Sequence, residues 1–232
     1  MSENDIEVTN PFAVSDDVEP QEIIANRLKE LQEEIKALPE HSDLLKTATL
    51  KLDIAEAQVG LGKGDVAWNN ARESLLVFLD REEWELAVEA CDVLFQTGQP
   101  AALKALGHGI WLAVTYPISP RVSVNMLNYI IEETDDSADG AAVAAAAAHY
   151  LVGVRTDGDE FESLSFLTSN ILARVAERHS QVKNQQELDA WLERMQLDDP
   201  SVFLPRLSLV VGALVEEDWW FDRDALRSKI KE

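Results

Sequence analysis

Between Asp139 and Arg155 the chain reads DGAAVAAAAAHYLVGVR, fifteen uncharged residues flanked by one acid and one base, seven of the fifteen being alanine. Three structures could use such a stretch: a membrane span, a flexible linker, or a helix so crowded that only small side chains fit. A span needs about 18 to 20 strongly apolar residues, so this one is too short and alanine too weakly apolar. A linker needs glycine, serine or proline in quantity, which is absent here. Alanine has the highest helix propensity but little apolar surface, at about 0.8 kcal/mol per buried methylene-sized group. A helix small on every side suits a place where neighbours approach from several directions. The expectation is a central, nearly buried helix, and with it an all-α fold.

The rest of the chain agrees with that class. Its 232 residues are 46% hydrophobic and 27% charged, a globular composition large enough for a substantial core. Forty-three acids against 20 bases give a net charge of −23. No Lys/Arg cluster interrupts that field, which disfavours nucleic-acid backbones and anionic membrane surfaces alike. One cysteine, Cys91, excludes an internal disulfide and fits a reducing compartment. The first residues, MSENDIEVTNPFAVSDDVEP, show neither a basic nor an apolar secretory region, and a cytoplasmic protein is expected.

Residues 1–19 carry six acids and no base and read as an acidic tail. From there to residue 232 a single all-helical domain is expected, with a possible subdivision near 156–160. Ile24, Leu28, Leu31, Ile35 and Leu38 step by three and four along one amphipathic stripe. Ser42 and Asp65 are candidate caps for the next two helices, with Gly62 to Gly64 between them. Pro100, Ser119 with Pro120, and Asp199 with Pro200 mark further starts. No stretch alternates with period two, so stacked antiparallel hairpins follow, as an α-solenoid or an irregular bundle.

The helix starts at Asp65, Gln99 and Asp139 lie about 34 to 40 positions apart, and each leads to an apolar cluster, LLVFL, GIWLA and HYLVG. In AEAQVGLGKGDVAWNNARESL, the residues Leu61, Gly62, Gly64, Asp65, Ala67 and Ala71 resemble the helix–turn–helix of the tetratricopeptide-repeat family. The resemblance covers about residues 50–155, without a clean 34-residue register. It implies a stack of hairpins with a peptide-binding groove.

Several motifs invite chemistry. VGLGKGD lacks the Gly-x₄-Gly-Lys spacing of a phosphate loop and reads as a helix stop and turn. TDDSADG starts like a calcium loop but places Ala146 where the bidentate glutamate belongs. Its DDSAD core, Asp135, Asp136 and Asp139, is similar to the Mg²⁺-binding motif of all-α isoprenoid synthases. No Arg or Lys follows it to meet a diphosphate, and a solvated acidic turn before a helix is the simpler reading. His41, His108, His149 and His179 lack metal-ligand spacing. His149 and Cys91 read as buried and inert.

Gly107 and Gly109 flank His108 inside a helical segment, where each costs about 1 kcal/mol relative to alanine. Close approach of another helix or of a bound peptide would justify them. In EEDWWFD, the rings of Trp219, Trp220 and Phe221 would diverge by about 100° per residue on a helix, so one at least should be exposed or pack on a different element; docking of the C-terminal segment is the simpler reading and a partner-binding hot spot the alternative. Phe12, in Asn10-Pro11-Phe12, could be a short linear anchor. Together these residues point to a non-catalytic interaction module, adaptor or assembly chaperone that binds another protein or peptide. The candidate contacts are Phe12, Gly107, Gly109, Trp219, Trp220 and Phe221, with no cofactor or metal. The alternative is an all-α enzyme or small-ligand binder using DDSAD with Mg²⁺.

Overall fold

A computed structural model describes residues 21–39 and 41–230. The acidic N-terminal stretch, including Phe12, lies outside the described residues. Eleven helices and no strand occur among those described: α1 Gln21–Ala37, α2 Leu44–Gly60, α3 Gly64–Arg81, α4 Trp84–Gln96, α5 Ala102–Thr115, α6 Pro120–Glu133, α7 Asp139–Arg155, α8 Gly158–Ser180, α9 Gln185–Met195, α10 Pro200–Val215 and α11 Arg223–Arg227.

Local chemistry sets the helix ends. The α2 cap is Asp43, one residue past the expected Ser42, and its carboxylate accepts the Leu45 N–H at 3.1 Å. Gly62 turns the chain between α2 and α3 at φ +71°, in the left-handed region that favours glycine. Asp65 sits within the first turn of α3 rather than at its cap, which is Lys63. Gly64 is required by space: a Cβ there would collide with the Thr97 carbonyl at the end of α4. Ser119 is the cap residue of α6, but its hydroxyl makes no capping bond; Glu85 of α4 accepts its N–H at 3.1 Å instead.

From α1 to α9 each helix packs against the next, and two layers result. In the first layer α2, α4, α6 and α8 approach one another in turn, α2 to α4, α4 to α6, α6 to α8. In the second stand α3, α5 and α7, and α10 returns along the chain to pack against α5 and α7. The arrangement is compatible with a helical repeat. α1 adds a small separate core, Leu28 and Leu31 against Leu50, Ile54 and Ala57 of α2.

The alanine segment is α7, and Ala141 to Ala148 are all buried, none more than 5% exposed. It packs against α6, α8 and α10 at once, the crowding that its small side chains imply. At its far end Arg155 donates to the carbonyls of Ala113 and Val114 and to the Ser123 hydroxyl, closing the end of α5 with a cation. No helix among the described residues is long and apolar enough to cross a membrane.

Candidate functional site

The second layer is covered. α10 crosses α5 so closely at Gly107 that an added Cβ would lie 2.6 Å from Val215 Cγ2 and 3.1 Å from Leu214 Cβ. Gly109 serves another crossing, where the added atom would lie 2.5 Å from Met126 Cε and 2.8 Å from Cys91 Cβ. Both glycines are buried, and the close neighbours that they admit are helices of the same chain.

After α10 the chain is not helical between Glu216 and Asp222, so the helical divergence of the three aromatics does not arise and the C-terminal segment docks on the stack. Without the helical twist all three reach the buried His108. Trp220 stacks on it with centroids 4.3 Å apart, while Trp219 and Phe221 meet it edge-on at 5.2 Å. The Trp220 N–H donates to His108 Nε2 at 2.9 Å, and Nδ1–H donates to the Lys104 carbonyl. Both ring nitrogens are used by the neutral tautomer, and burial pushes the imidazole pKa down to about 4. Arg72 lies 4.1 Å over the Trp220 ring, and Trp68 meets that ring edge-on at 6.0 Å. Tyr116 donates to the Leu226 carbonyl at 2.8 Å, and Lys104 pairs with Asp218 at 3.0 Å. The C-terminal segment is thus a clasp over α3 and α5, and each of its three rings is half-buried.

The other candidates lie apart. Asp135, Asp136 and Asp139 are exposed, and Asp139 is engaged by Arg206 and by His179, each at 3.3 Å. Among the described residues no group of three or more His, Cys, Asp and Glu side chains could hold a metal ion. His149 is half-buried, with Nδ1 2.9 Å from the Thr168 hydroxyl, and burial lowers its pKa. Cys91 is fully buried and burial raises its thiol pKa, which removes the thiolate needed for reactivity.

The first layer is where sequence reasoning named no candidate. Asp53 and Glu56 on α2 and Glu89 and Asp92 on α4 form one acidic surface, each carboxyl raised above its ordinary range chiefly by burial. Mutual repulsion adds to that effect: Glu56 feels Asp53 and Asp92, and Glu89 feels Glu85, Glu56, Asp53 and Asp92. Asp92 accepts from Gln96 at 2.9 Å and from the Tyr129 hydroxyl, while burial raises the phenol pKa of Tyr129. Two cavities open on this layer. One of about 650 Å³ is walled by Ile23, Ile24, Arg27 and Leu31 of α1 with Asp53, Glu56 and Ala57 of α2. The other, about 340 Å³, lies between α4 and α6, lined by Val88, Val122 and Met126 with Glu89, Asp92, Arg121 and Asn125.

The signal was present as a recurrence rather than a motif. Asp53 and Glu56 recur as Glu89 and Asp92, and again as Asn125 and Asn128, each step 36 positions along the chain. The buried neighbours follow the same step, Leu52, Val88 and Val124, and Ala55, Cys91 and Leu127, while Glu56 is exposed, Asp92 half-buried and Asn128 buried. Each pair is three residues apart, hence on one helix face. Comparison with protein-family models, with curated proteins and with solved structures gave no significant match.

Proposed function

We propose that this chain is a non-catalytic interaction module, an adaptor or assembly chaperone with a tetratricopeptide-like stack, that grips another polypeptide across the layer formed by α2, α4 and α6. The observation that supports this reading is the difference between the two layers. One is closed by α10 and the aromatic clasp. The other carries four carboxylates, Asp53 and Asp92 half-buried and Glu56 and Glu89 exposed, each with its pKa raised. Repulsion among carboxylates held this way opposes the fold of the free chain, and a complementary partner would relieve it. Stacked helical hairpins expose extended surfaces of this kind for polypeptides.

Affinity capture from the native source, comparing wild type with a variant carrying Asp53→Asn, Glu56→Gln, Glu89→Gln and Asp92→Asn, tests the reading. The expected outcome is a stoichiometric protein partner retained by the wild type and lost by the variant, with both proteins folded. A partner retained equally by both would place recognition elsewhere.

A further inference from the structure

The C-terminal clasp lies on α3 and α5 in the manner of a bound peptide. Its non-helical stretch, Glu216 to Asp222, gives one main-chain N–H, that of Trp220, to His108 Nε2. Its three rings pack on that imidazole. Lys104 takes the carboxylates of Asp218 and Glu216, at 3.0 and 3.3 Å. Yet two donors beneath it are left over. The indole N–H of Trp111, a residue 7% exposed, and Nη1 of Arg72 are buried with no acceptor among the described residues. Native folds keep such donors rare. Both lie at the clasp: Arg72 covers the Trp220 ring at 4.1 Å, and Trp111 meets Trp219 and Phe221 with centroids 6.0 and 5.4 Å apart.

The acids that flank the three rings are already engaged. Asp218 is bonded to Lys104, and Asp222 caps α11, accepting the N–H groups of Asp224 and Ala225 at 3.0 Å. Burial opposes the Arg72 charge, which Asp218 offsets only in part. The C-terminal segment of a second copy would bring the same two engagements and leave the same donors unpaired. The attachment of the clasp is also light. Glu216 and Glu217, where it leaves α10, are consecutive non-glycine residues at φ +53° and +63°, in the left-handed region that side chains disfavour. Beyond them α11 has five residues, held by the buried Leu226, by the Tyr116 hydroxyl on the Leu226 carbonyl, and by Lys229 with Glu82.

We propose that the face of α3 and α5 beneath the clasp is a second polypeptide-binding site, which residues 216–230 occupy as an internal competitor. Its external ligand is an aromatic, acidic segment of a partner protein. The rings of Trp68, His108 and Trp111 take the aromatic side chains, Lys104 and Arg72 the carboxylates, and the Trp111 N–H a further acceptor. Acids at Glu216 and Asp218 already dock here on Lys104, in a chain of net charge −23. None of these residues belongs to the acidic layer of α2 and α4, so this site and that one stand or fall separately.

The test is an NMR titration of the full-length protein at about 0.15 M ionic strength, where long-range repulsion is screened. Two end-blocked probe peptides are used, Glu-Glu-Trp-Trp-Phe-Glu-Glu and its uncharged counterpart Gln-Gln-Trp-Trp-Phe-Gln-Gln. Neither contains a helix to engage the acid that follows the phenylalanine. The acidic peptide is expected to shift resonances of α3 and α5, the Trp111 indole N–H among them. It should bind roughly tenfold tighter than the uncharged one, the weight of one charge-assisted hydrogen bond. Arg72→Met should remove that preference. Tyr116→Phe, which deletes the hydroxyl that holds α11, should tighten both peptides a few-fold by weakening the competitor. Replacing Asp53, Glu56, Glu89 and Asp92 by their amides should leave all of this unchanged.

An absence of shifts on α3 and α5 in both the wild type and Tyr116→Phe would overturn the proposal. So would a preference for the acidic peptide that survives Arg72→Met, or equal affinities in Tyr116→Phe and the wild type. A doubled mass in solution, lost on deletion of residues 216–232, would assign the face to a second copy and overturn it as well.

Discussion

His108 shows how one side chain ties a distant segment to the stack. It is fully buried, and its two nitrogens bridge Lys104 on its own helix and the Trp220 amide of the clasp. Its folded pKa of about 4 lies below the ordinary value of 6.5, so the unfolded chain binds the extra proton first. The stability that it contributes is complete above about pH 6.5 and is lost as the pH falls toward about 4, by up to about 3 kcal/mol. Replacing His108 by Gln, which retains a donor and an acceptor, should remove that part of the acid dependence. Chemical denaturation of both proteins between these pH values measures the difference, and parallel curves would contradict the assignment. The sequence marked His108 only by its flanking glycines, because the groups that fix its role arrive from residues 219–221, more than a hundred positions later.

Among the elements, α7 was the most legible. Propensity and side-chain size both follow from its composition, and a helix with alanine on all faces fits only where neighbours surround it. Ala147 is completely buried there. Ala147→Leu should destabilise the protein by about 1 to 3 kcal/mol through overpacking, despite leucine's good helix propensity. A thermal melt unchanged by that substitution would mean that the crowding is absent. Docking of the C-terminal segment was legible but its geometry was not, because three adjacent aromatics look divergent only if helical, and the break after Val215 removes that twist. The acidic pairs on α2 and α4 were hidden for another reason. An acid pair within an amphipathic helix looks like a solvated face until two such helices lie side by side, and only the 36-residue recurrence carries that information in the chain.

At the scale of the whole molecule, a chain of net charge −23 concentrates part of its repulsion on one layer and closes the other. Asp53, Glu56, Glu89 and Asp92 have raised pKa values, so their protonated forms favour the fold and their ionised forms, at higher pH, oppose it. Neutralising all four as amides should raise the melting temperature at pH 7. That advantage should shrink as the pH falls through the raised carboxylate range, where the wild type itself becomes protonated. A variant less stable at pH 7 than the wild type would show that these carboxylates hold the fold together instead of waiting for a partner.

Carboxylate footprinting of the protein, free and after recovery with its native partner, tests the central claim most directly. The account predicts that Asp53, Glu56, Glu89 and Asp92 become protected in the complex while the exposed Asp135, Glu162, Glu193 and Asp198 label as before. Protection of the second set with the first unchanged would contradict it.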